Sequence, residues 1–136
     1  MKKLTLIFFV LLSIMSYGQT KVNFSSFDAW KQNSTSKKME FAKKINEPGY
    51  IEFNNENSTV IVFNIRRNQK ELFQFMPFKK VDGGHYIGFG KVDTKQMMTF
   101  IPQDKLLFLK VNDIVIMKFD LSITDTENIL SELKSI

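Results

Sequence analysis

The chain contains one histidine, His85, and no cysteine. This inventory argues against Cys–His catalysis, the usual Ser–His–Asp triad and His/Cys zinc sites. The remaining catalytic options are a carboxylate pair, a lysine base or a metal held by oxygen ligands. The candidate carboxylates are Glu52, Glu56, Asp82, Asp93, Asp104 and Asp113. They fall at strand ends and turns, where acidic side chains commonly bond the backbone or face water. We therefore assign no catalytic, cofactor-binding or metal-ligating residue, and no cofactor is expected.

Three other groups invite a functional reading. The stretch Gly83-Gly84-His85-Tyr86-Ile87-Gly88-Phe89-Gly90-Lys91-Val92 has the glycine density of a phosphate loop, but His85 stands where that pattern needs glycine and Val92 where it needs serine or threonine. A hairpin turn at Gly83-Gly84, with Gly88 and Gly90 two apart on one strand face, explains it better. Tyr86, Gly88 and Gly90 are then a candidate face for a ligand or partner. Arg66, Arg67, Lys70, Lys79 and Lys80 form a candidate basic edge. Lysine and arginine on an edge discourage strand pairing between molecules, and nucleic-acid binding would also need exposed aromatics along a groove, so no nucleic-acid partner is expected. Met76, Met97, Met98 and Met117 can fill a core or line a cavity for an apolar ligand.

The elements that position these residues begin after an export signal. Met1-Lys2-Lys3 precedes the apolar run Leu4 to Leu12, followed by small and polar residues at Ser13, Ser16, Gly18 and Gln19. This is the pattern of a secretory signal peptide, with cleavage expected after Gly18. The apolar run is shorter than the ~20 residues that span a bilayer. No transmembrane segment is expected in the mature chain, 19–136. Removing Lys2 and Lys3 lowers the formal charge of +5 by two, to +3. Export without cysteine fits a Gram-negative bacterium and a periplasmic or secreted product.

The mature length suits one domain. Segment 21–46 is expected to hold one or two short helices: Phe27 and Trp30 lie three apart, and Met39, Ala42 and Ile45 form a stripe. Glu47-Pro48-Gly49 ends them. From 50 to 120 the pattern becomes about seven short apolar runs separated by Asn, Asp, Gly and Pro turns, which predicts an antiparallel meander. Pro77 interrupts the third run, making it an edge or bent strand. Val60–Phe63, Leu106–Leu109 and Ile114–Met117 are apolar at every position and require cover on both faces. A C-terminal helix, 124–136, is expected behind a capping box at Thr124-Asp125-Thr126-Glu127, with Ile129, Leu130, Leu133 and Ile136 on its apolar face and Glu132 and Lys134 outside it.

The expected fold class is thus α+β and predominantly antiparallel β. Seven meandering strands followed by a capped helix resemble pleckstrin-homology-like domains in element order, which implies a bent barrel with the helix across one end. A lipocalin-like barrel and an open curved sheet fit the same order. Element order implies no ligand. The functional expectation is an exported, non-catalytic binding or interaction protein of the bacterial envelope, of inhibitor or immunity type, with an unknown protein partner. The alternatives are a carrier of a small apolar ligand or lipid in a barrel interior and, further off, a carboxylate-dependent hydrolase.

Overall fold

The computed structural model describes residues 19–134, and the expected leader, 1–18, lies outside them. Eleven strands and one helix follow in order: β1 (Gln19–Phe24), β2 (Phe27–Gln32), β3 (Met39–Ile45), β4 (Gly49–Asn54), β5 (Thr59–Asn64), β6 (Gln69–Gln74), β7 (Lys79–Val81), β8 (His85–Phe89), β9 (Met97–Ile101), β10 (Leu106–Lys110), β11 (Val115–Asp120) and α1 (Ile123–Lys134). A 3-10 turn at Pro102–Asp104 joins β9 to β10.

The strands form two antiparallel sheets, one ordered β1-β4-β5-β6 and the other β3-β2-β11-β10-β9-β8-β7. The chain passes from one to the other between β1 and β2. On the far side, among the described residues, the sheets are joined by an isolated bridge, Phe75 to Gly90, flanked by bonds from Met76 N to Phe89 O and from Lys91 N to Gln74 O. Of the two expected forms, a curved sheet or a small barrel, the described residues form no closed barrel.

The two-residue rhythm of the meander is realised directly. Ile51 and Phe53 of β4, Val60 and Val62 of β5, Leu107 and Leu109 of β10, and Met117 and Phe119 of β11 point into the space between the sheets and are buried. Each such side chain contributes roughly 1.5–3 kcal/mol of apolar burial. Phe53, Phe73, Phe75, Phe100 and Phe119 are all at most 2% exposed, so the interior is filled by the chain's own rings. Pro77 divides the third run into β6 and β7, which are edge strands of different sheets.

Segment 21–46 contains strands, not the expected helices. The cause lies in its apolar residues, which belong to two faces. Ala29 is buried while Trp30 faces outward against Phe41, and the pairing of β2 with β3 shifts register between them. Phe27 and Trp30 are three apart because they lie on opposite faces of a regular strand, whereas in β3 the unpaired Ala42 is an inserted residue that gives Met39, Ala42 and Ile45 a spacing of three imitating a helix.

The C-terminal helix is present, but its cap is Ser122, not Thr124. Asp125 N donates to Ser122 Oγ at 3.0 Å, and both Thr126 N and Thr126 Oγ1 donate to the Ser122 carbonyl. Ile129 and Leu133, four apart, enter the core as expected. Glu132 is buried rather than outside: Asn55 N donates to its carboxylate, Asn55 Nδ2 donates to its carbonyl at 2.9 Å, and Thr20 also bonds its side chain. These bonds fasten the helix to β1 and the β4–β5 turn. Among the described residues no helix is long and apolar enough to cross a membrane.

Candidate functional site

The six candidate carboxylates are dispersed. Glu52 lies in β4, Glu56 in the β4–β5 turn, Asp82 in the β7–β8 turn and Asp104 in the 3-10 turn. Asp93 accepts from Lys95 N, and Asp113 pairs with Lys110 at 3.6 Å and Lys95 at 3.9 Å. Among the described residues no three His, Asp or Glu side chains converge as a metal site.

The glycine-rich stretch makes a hairpin. Gly83 and Gly84 have φ of +87° and +77°, the left-handed conformation their turn requires. Tyr86 is buried, and the face of Gly88 is covered by Phe78 and Phe75, whose ring atoms lie 2.8 Å and 3.2 Å from where a methyl group would sit. Gly90 turns tightly beside Asp93 and gives its N–H to Gln96 O. The chain itself thus fills the face that the sequence offered to a ligand. The methionines divide, with Met98 and Met117 in the core and Met76 about half exposed.

The basic residues also separate. Lys79 and Lys80 are exposed on β7, with Lys80 Nζ 6.0 Å from the Tyr86 ring centre. Arg66, Arg67 and Lys70 belong to the β5–β6 hairpin and line an open cleft of about 920 Å³. Its opposite wall runs from the end of β3 into the link before β4 and supplies Lys43, Lys44, Ile45, Asn46 and Glu47. Phe24, Phe27, Val62 and Met117 form an apolar floor. Glu47 ties the walls together: it accepts from Asn64 Nδ2 and from Arg67 Nε at 3.1 Å, and it pairs with Arg67 Nη2 at 3.0 Å. The Asn64 hydrogen bond, then Arg67, holds its carboxyl below the usual range. Glu71 also lines the cleft, opposite Val62 in the ladder, and burial raises its pKa.

Compared with protein-family models, curated proteins and solved structures, the chain matches none. Its geometry is therefore the basis for a functional reading.

A second feature lies on the outer face of the seven-stranded sheet. Trp30, Met39, Leu106, Phe108 and Ile116 line a shallow groove of about 360 Å³, with Lys118 on its wall. Trp30 lies opposite Ile116, and Phe108 opposite Lys118, so the groove follows neighbouring strands across the sheet. Beside it, Phe41 is 54% exposed. The strands that are apolar on both faces are covered on one by the core and on the other by no described segment of the chain.

Sequence reasoning missed Lys43 and Lys44 of β3, Glu47 of the β3–β4 link and Glu71 of β6, which the fold brings to one cleft. The outer groove did leave a trace, in the doubly apolar runs Leu106–Leu109 and Ile114–Met117.

Proposed function

We propose that the chain is an exported, non-catalytic interaction protein of the bacterial envelope, released from a leader at 1–18, that docks another protein on the outer face of its seven-stranded sheet. The observation that carries this reading is the uncovered aromatic and aliphatic groove around Trp30, Phe108 and Ile116. Grouped large apolar side chains on a surface mark contact sites more often than isolated ones do. Lys118 is the charged side chain in the groove lining, so the fitting partner presents apolar groups together with a carboxylate. The dispersed carboxylates support the non-catalytic part of the reading.

A photo-crosslinking residue in place of Phe41, in cells that make the full chain, tests the docking. The expected result is one covalent adduct with a different envelope protein. Once that protein is purified, Ile116→Glu should weaken its binding by at least about tenfold while the variant keeps the native circular dichroism spectrum. Crosslinking only to a second copy of the chain, no adduct, or undiminished binding by a folded Ile116→Glu variant would each overturn the proposal.

A further inference from the structure

The cleft at the β5–β6 hairpin is distinct from the docking face, because its floor lies between the sheets. It opens at the end of β5 opposite the helix, since α1 is bonded to the turn before Thr59, while the cleft is lined by Asn64 and the residues that follow it. Five cations and two carboxylates surround its apolar floor. Arg67 is occupied by Glu47. Lys43, Lys44, Arg66 and Lys70 make no salt bridge among the described residues, so four residues lining the cleft carry unpaired cations at its wall and rim, and its volume lies within the roughly 300–1,000 Å³ usual for small-molecule sites. Phe24, Phe27 and Ile45 are only partly buried, leaving apolar surface below that charged rim.

A purely apolar ligand would leave the cations unused, and a small inorganic anion would leave the floor wet. We infer that the cleft binds an anionic amphiphile, with an alkyl or acyl chain against Phe24, Phe27 and Val62 and a carboxylate or phosphate head among Lys43, Lys44, Arg66 and Lys70. The walls are held apart at a fixed spacing by the Asn64–Glu47–Arg67 network and by the bond from Ile65 N to Pro48 O, so the site exists before the ligand arrives. Glu71 is the opposing feature: its carboxylate lies on the cleft side of β6 and makes no hydrogen bond or ion pair among the described residues. It repels an anionic head, so its removal strengthens binding.

The test is calorimetric titration of the mature chain with decyl phosphate, decanoate, decyl maltoside and inorganic phosphate, with methyl NMR of Val62 and Met117 locating the site. At least one of the two charged amphiphiles is expected to saturate and shift both methyl signals, and their ranking distinguishes a phosphate from a carboxylate head. Decyl maltoside, which has the chain without the charge, and inorganic phosphate, which has the charge without the chain, should bind at least about tenfold more weakly. Lys43→Glu with Lys44→Glu should weaken the better ligand by at least about tenfold, and Glu71→Gln should strengthen it several-fold. Should the double reversal not fold, Lys43→Gln with Lys44→Gln replaces it, and added salt must weaken the native chain's binding. Equal binding of decyl maltoside, equal binding of inorganic phosphate, absence of saturation by either charged amphiphile, or affinity indifferent to both salt and the lysine variants would overturn the inference. None of these outcomes involves the docking face.

Discussion

A methyl group on Gly88 would lie 2.8 Å from Cδ1 and Cε1 of Phe78 and 3.2 Å from Cγ of Phe75. Neither ring has room to retreat. Phe78 is 4% exposed and is held at centroid distances of 5.5 Å from Phe53 and 5.8 Å from Phe75. Overpacking of this kind costs about 1–3 kcal/mol. Replacing glycine by alanine in an extended segment returns about 0.5–1 kcal/mol by restricting the unfolded chain. The clash is the larger effect, and Gly88→Ala should lose about 1–2 kcal/mol net. At roughly 4 °C per kcal/mol, the melting midpoint falls by about 4–8 °C. Urea denaturation of the native chain, Gly88→Ala, Phe78→Leu and the double variant provides the assay. Because the leucine vacates part of the space the methyl enters, the double variant should be less destabilised than the sum of the singles by about 1 kcal/mol. Native-like stability of Gly88→Ala, or strict additivity, would refute the claim that Phe78 seals this strand.

Gly49→Ala should cost more, ~3 kcal/mol or above, because its methyl would meet the Phe63 carbonyl oxygen at 2.2 Å and backbone cannot swing aside as a ring can; soluble yield and urea midpoint check this. Ser122→Ala should lose about 1 kcal/mol through the missing helix cap, while Thr124→Ala should be nearly silent, and thermal melts of the two variants decide between the overlapping caps. Burial raises the Glu71 carboxyl pKa in the fold, so native stability falls as pH rises from the ordinary carboxyl value through the raised one and stays lower above it. Glu71→Gln should therefore be more stable than the native chain at pH 7 and level with it below about pH 4, as measured by urea midpoints across that interval. A less stable Glu71→Gln at pH 7 would show that the carboxylate has a favourable partner.

The meander was legible because a strand with one buried face writes that fact into every second residue, as Ile51 and Phe53 do around Glu52. The N-terminal strands were not, for two reasons. In β2 the apolar residues Phe27, Ala29 and Trp30 are divided between both faces, and β3, an edge strand exposed over most of its length, carries the extra residue Ala42 and has no buried face to impose an alternation. The helix was legible through Ile129 and Leu133. Its start was ambiguous because Ser122-Ile123-Thr124-Asp125 and Thr124-Asp125-Thr126-Glu127 are both good caps, and the choice falls to a tertiary contact: Leu121 N is bound to the Lys105 carbonyl, so the chain turns at once after β11. Of the basic candidates, Arg66, Arg67 and Lys70 reach the cleft because they share one hairpin. Lys79 and Lys80 follow closely in sequence, but Pro77 separates them into the other sheet.

The pairing of Trp30 with Ile116 joins the second strand to the eleventh, across most of the described residues. During synthesis β2 and β3 emerge as an isolated hairpin, and they must wait for the last strand to be made before the seven-stranded sheet has its centre. Closing so wide a loop is slow, since the entropy is lost before the contacts form. In this topology the seven-stranded sheet cannot be completed until the carboxyl-terminal strand is available, and a stop codon before Val115 leaves the first hairpin with no strand to join.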